Sequence, residues 1–158
     1  MKRLALILSL FVLASLLVTG CAPTEKSTVE SCPVTEPVWV KPPEDAAVSD
    51  SMEYGDYFAN EDQSILASAW WAEPEAYQQY ASEDGVKVGW FRPEGAALQL
   101  TGRRLDGDAP PLEAHVPCCY PTRFQATGLS FPTEGCWEVV AKAADSELAF
   151  TVWIVMDE

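Results

Sequence analysis

The sharpest chemistry in this chain gathers at His115 and the adjacent cysteines Cys118 and Cys119. One imidazole and two sulfurs in the spacing His115-x-x-Cys118-Cys119 are soft ligands of the kind that hold Cu(I) or Zn. A tetrahedral site would need a fourth ligand from elsewhere, because the chain has a single histidine and no methionine nearby. The same two sulfurs can also sit in disulfides, or cycle between dithiol and disulfide. Together with Cys32 and Cys136 they form a set of four, for which three connectivities exist. Outside the cytoplasm such cysteines are oxidised. A Cys32–Cys136 bridge is favoured, since it would staple the start of the domain to its closing hairpin. Structural disulfides are therefore the main reading of Cys32, Cys118, Cys119 and Cys136. A metal or thiol-redox centre at His115, Cys118 and Cys119 is the alternative.

Two further groups could contact a ligand. Arg103 and Arg104 stand side by side in an acidic protein, and guanidinium groups grip anions by bidentate contacts. In a strand they point to opposite faces, so one at most serves a given site. Local acids such as Asp106 and Asp108 would compete for them. Six tryptophans are many for this length, and most should pack in the core, Trp137 and Trp153 foremost. Trp70 and Trp71 point oppositely if extended, so one of them is a candidate exposed surface for sugars, peptides or cell-wall material. Nothing marks a catalyst. No serine lies in a Gly-x-Ser-x-Gly elbow, no carboxylate pair is singled out, and no cofactor motif is present. A non-enzymatic protein without a cofactor is expected.

The elements that must position these groups are β-strands. Phe131 to Val155 reads as a turn, a strand alternating from Cys136 to Ala141, a second turn at Ala144-Asp145-Ser146, and a return strand from Leu148 to Val155. The return strand is apolar on nearly both faces, which predicts a central, buried place. Val38–Val40, Ser51–Phe58, Ile65–Trp71, Val86–Phe91, Ala97–Leu105, Leu112–Val116 and Phe124–Phe131 read as further strands. Glu75 to Asp84 predicts one or two helical turns or a loop. Many short strands between close turns predict an all-β antiparallel sandwich of immunoglobulin-like type over residues 38–158, with a small open barrel as the competing architecture.

Residues 1–20 are expected to be a leader and not part of the fold. Met1-Lys2-Arg3 is basic, Leu4 to Val18 is apolar, and Val18-Thr19-Gly20-Cys21 closes the run. This is the pattern of a lipoprotein signal peptide, cut before Cys21, whose sulfur and amine then carry palmitate or similar acyl chains. Two or three chains anchor a protein stably to a membrane. Residues 21–37 are rich in Thr, Ser, Glu and Pro and predict a flexible tether. The formal charge is −14, and loss of Lys2 and Arg3 makes the remainder more acidic still. Such a chain repels nucleic acid, so none is expected as a partner.

Several motifs together resemble a family of uncharacterised bacterial lipoproteins: Cys32-Pro33-Val34-Thr35, Tyr54-Gly55, Lys87 to Phe91, Gly102-Arg103-Arg104-Leu105-Asp106, Ala109-Pro110-Pro111-Leu112, and Phe124-Gln125 through Phe131-Pro132-Thr133 to Gly135-Cys136-Trp137-Glu138-Val139. The family pattern has a cysteine near each end, similar to the Cys32–Cys136 pairing, and does not usually carry Cys118-Cys119. The resemblance implies a fold and a location, and no chemistry. The expectation is a non-catalytic binding or envelope-interaction module. It would be anchored through Cys21 on the extracytoplasmic side of a bacterial cell membrane or outer membrane, and would meet an envelope protein or small ligand.

Overall fold

The computed structural model describes residues 29–46, 55–83, 85–118 and 120–156. The leader, Cys21 and Cys119 lie outside the described residues. No described helix is long and apolar enough to cross a membrane. Among the described residues nine strands form: β1 Val38–Val40, β2 Gly55–Ala59, β3 Leu66–Ser68, β4 Val86–Phe91, β5 Leu98–Arg104, β6 Glu113–His115, β7 Phe124–Ser130, β8 Gly135–Ala143 and β9 Ser146–Ile154. The short helix α1, Pro74–Tyr80, starts on a proline, whose fixed φ and missing N–H suit a first helical turn.

All pairings are antiparallel. The strands make a six-stranded sheet in the order β1-β2-β3-β4-β7-β6 and a three-stranded sheet in the order β5-β8-β9. This is the expected all-β sandwich. Among the described residues no ladder joins the two sheets, which favours the sandwich over the barrel alternative. Strands β8 and β9 are joined through Ala144 and Asp145, with Ala143 opposite Ser146. Ala144 adopts a φ of 51°, the positive φ that a two-residue hairpin turn needs to match strand twist.

The core lies between the sheets. Phe58 of β2 stacks on Phe150 of β9, with centroids 4.2 Å apart and planes 8° off parallel. Phe131 sits against both Trp71 and Trp137. Val86, Val88 and Trp90 on β4 and Val139, Ala141 and Ala143 on β8 fill the remainder through period-2 alternation. A smaller cluster of Tyr57, Leu66 and Phe91 packs on the outer face of the large sheet.

Two sequence expectations about the hairpin are corrected. Strand β9 is not central but is an edge of the small sheet, and Trp153 is half-buried on the outer face opposite Cys136 instead of plugging the core. Its edge is covered locally by the segment taken for a free tether. The Thr35 amide donates to the Thr151 carbonyl at 2.9 Å, and the Thr151 amide donates to Thr35 Oγ1 at 2.9 Å. Cys32 is bonded to Cys136, with Cα atoms 5.6 Å apart. The apolar second face of β9 thus reflects cover by the entering chain, which also occupies hydrogen-bonding groups that an open edge would expose. The expected tether through residue 37 is therefore fixed to the domain from Cys32 to Thr35.

Candidate binding site

The described cysteines are oxidised. Besides the Cys32–Cys136 bridge, Cys118 is disulfide-bonded. A disulfide sulfur is not the thiolate a metal requires. His115 is exposed on β6, opposite Gly128 of β7. Among the described residues no three His, Cys, Asp or Glu side chains converge as metal ligands.

The arginine pair splits across β5 as strand geometry demands, and each member has an acid. Arg103 is exposed, and its Nε lies 2.7 Å from Glu138 Oε2 on the neighbouring β8. Arg104 is largely covered and donates from Nε to Asp106 Oδ1 at 2.7 Å. Burial raises the Asp106 pKa, but the Arg104 hydrogen bond and charge and the Cys136 amide outweigh it and hold the carboxyl below its ordinary value. This ion pair stands directly over Gly135. A Cβ there would lie 2.6 Å from Arg104 Nε and 2.8 Å from Asp106 Oδ1, and Gly135 has a φ of +130°. Arg103 and Arg104 are thus neutralised and serve the β5–β8 joint. Asp108 is not among their partners in the described ion pairs.

Trp70 and Trp71 part company as adjacent extended residues do. Trp71 is fully buried and its Nε1–H donates to the Ser68 carbonyl at 2.7 Å. Trp70 is 48% exposed. Helix α1 places Tyr80 edge-on to it, with centroids 5.3 Å apart at 76°. On the same helix Tyr77 turns inward, into contact with Phe131. Trp70 also lines a cleft of about 300 Å³ with Val34, Pro37, Asp56 and Glu73. Trp39, 66% exposed on edge strand β1, pairs directly with Asp56. Trp70, with Tyr80 edge-on to it, and the acidic residues Asp56 and Glu73 thus border one cleft beside the entering chain. Aromatic faces offer large, rigid apolar contact, and carboxylates accept hydroxyl hydrogens. Sequence reasoning singled out Trp70 here but missed Tyr80, because no sequence periodicity joins Trp70 to α1.

A second group was missed altogether. Arg92 follows β4 and is only 2% exposed. Its Nε donates to Gln125 Oε1 at 2.8 Å, Nη1 to the Pro93 carbonyl at 3.0 Å and Nη2 to the Tyr120 carbonyl at 3.0 Å. Gln125 Nε2 donates in turn to the Pro117 carbonyl at 2.8 Å, so this pair holds the loop that carries Cys118. Alternation from Val86 through Val88 and Trp90 would have carried Arg92 to the inward face. Gln125 shares the inward face of β7 with Thr127, which accepts the Trp90 indole N–H at 2.8 Å.

No family model, curated protein or solved structure matches this chain.

Proposed function

We propose that this protein is a lipid-anchored, non-catalytic binding module of the bacterial envelope, facing the extracytoplasmic side. The observation that carries the reading is the cleft lined by Trp70, Asp56 and Glu73, with Tyr80 edge-on to Trp70. An apolar stacking surface bordered by hydrogen-bond acceptors suits a hydroxyl-rich, uncharged ligand such as an envelope glycan, and the acidic net charge disfavours polyanions. The lipoprotein pattern ending at Cys21 supports the anchor, and the short stretch between Cys21 and the docked Cys32 would hold the cleft close to the membrane.

Strand order supports the immunoglobulin-like reading of the sandwich. Strands β3-β4-β7-β6 over β5-β8-β9 pair as the A-B-E-D and C-F-G strands of a seven-stranded constant-type domain do, with β1 and β2 added at one edge. Domains of that architecture serve binding through loops and edges, although architecture alone assigns no ligand.

The test is co-sedimentation of the full chain, in detergent, with purified cell-wall glycan, comparing wild type with Trp70→Ala and Asp56→Ala. Retention of wild type, competition by soluble oligosaccharide and loss in both variants is the expected result. Equal retention of all three proteins, or of none, would remove this cleft from the role. Mass spectrometry of the envelope-purified protein tests the anchor: an unmodified Cys21 would overturn it.

A further inference from the structure

We propose that the cavity beside Arg92 is a separate binding site for a small organic monocarboxylate. Arg92 is a cation almost wholly withdrawn from water, yet none of the ion pairs among the described residues includes it. Its three hydrogen bonds go to neutral oxygens. A guanidinium carries five N–H donors, so one on each terminal nitrogen is left over. A buried charge without a counter-ion is costly, and a protein as acidic as this one has carboxylates in plenty with which to compensate it. Among the described residues none is paired with it. The charge opens instead onto a cavity of about 420 Å³, within the range of small-molecule sites.

The walls of that cavity define the ligand. Ala96, Leu98, Val116 and Pro117 are apolar, and no described lining residue is acidic. Arg92 is also the only basic side chain among the described lining residues. One positive charge balances a monoanion. A phosphate dianion would be left half-neutralised in an apolar cleft, whereas a carboxylate matches the planar guanidinium and leaves its body for the apolar wall. Gln125 and the Pro93 and Tyr120 carbonyls fix the guanidinium in advance, so binding orders little. This site is independent of the aromatic cleft, which is lined by none of the same residues.

The experiment is a titration of the ¹⁵N-labelled full chain in detergent micelles with sodium benzoate, sodium acetate and sodium chloride at matched ionic strength. The Arg92 Nε–H and Gln125 side-chain amide resonances are followed. Saturable shifts at both groups with benzoate, at least tenfold weaker binding of acetate and no shift with chloride are expected. Arg92→Met should abolish the response but risks the fold, because it releases the Cys118 loop. Ala97→Phe leaves Arg92 intact and fills the cavity from its exposed wall, and it should weaken benzoate binding at least tenfold. Non-saturable shifts, an equal response to chloride, or unchanged benzoate binding in Ala97→Phe would each overturn the proposal.

Discussion

Removing the Cys32–Cys136 bridge should cost this domain a large part of its stability. The cysteines are separated by 104 positions, so the bridge closes a loop around nearly the whole sandwich. In the chain-entropy account, a loop of that length restricts the unfolded ensemble enough to contribute about 4.7 kcal/mol. The native state loses little packing in exchange, since alanine at both positions removes only two sulfurs. Release of the bridge also frees Thr35 from the β9 edge, where its two hydrogen bonds with Thr151 contribute about 1 kcal/mol each. For a domain of this size the combined loss corresponds to a fall in Tm of roughly 20–25 °C. The assay is urea unfolding of Cys32→Ala/Cys136→Ala against wild type, without reductant, because reductant would also open the Cys118 bridge. The slope with urea should rise, since the unlinked chain exposes more surface when it unfolds. Cys32→Ala alone should cost nearly as much as the double variant, because either change breaks the same link. A double variant within about 1 kcal/mol of wild type would refute the loop-closure reasoning. Single variants whose costs sum to that of the double would show that local packing, not the link, is being measured.

Asp106→Asn should destabilise by about 1–3 kcal/mol, since it leaves the covered Arg104 without its counter-charge. The Asp106 pKa is lowered on folding, so its contribution is fully present above the ordinary value of 3.8 and fades as pH falls through the lower folded value. Denaturation curves from pH 7 down to pH 2 should therefore show the gap between wild type and Asp106→Asn closing only in acid, and a gap independent of pH would count against the ion pair. Gly135→Ala should be more damaging than Asp106→Asn by thermal melting, because it meets both a positive φ and the Arg104–Asp106 pair at under 3 Å. A melting temperature equal to wild type would mean that the pair is displaced easily. The neighbouring tryptophans should behave oppositely in the same melts. Trp71→Ala should cost about 3–5 kcal/mol, and Trp70→Ala about 1 kcal/mol or less. Comparable losses would contradict their assigned faces.

The chain's own pattern determined most of the strands and the class of the fold. Val86–Phe91 alternates Val86, Val88 and Trp90 against Lys87 and Gly89, and that period-2 signal is local, so it survives as β4. The same holds for the hairpin of β8 and β9, whose register follows from a two-residue turn. Helix α1 was ambiguous from sequence because seven residues hold too few turns for a helical period to stand out. Apolar character on both faces of β9 was legible as well, but what covers it was not. Only tertiary structure decided that β9 is an edge strand, that Cys32 to Thr35 seal part of it, and that Trp153 faces outward. Strand order depends on contacts between residues far apart in the chain, and alternation says which face is buried without saying against what. Sites follow the same rule. The Arg103–Arg104 pair announced itself in sequence and proved to be neutralised by Glu138 and Asp106, one of them brought from another strand. Arg92 looked ordinary beside Pro93. Its lack of an ion pair among the described residues, and the cavity it opens onto, exist only once β4, β7 and the Cys118 loop have come together, because the environment of a charge is set by the whole fold and not by its neighbours in the chain.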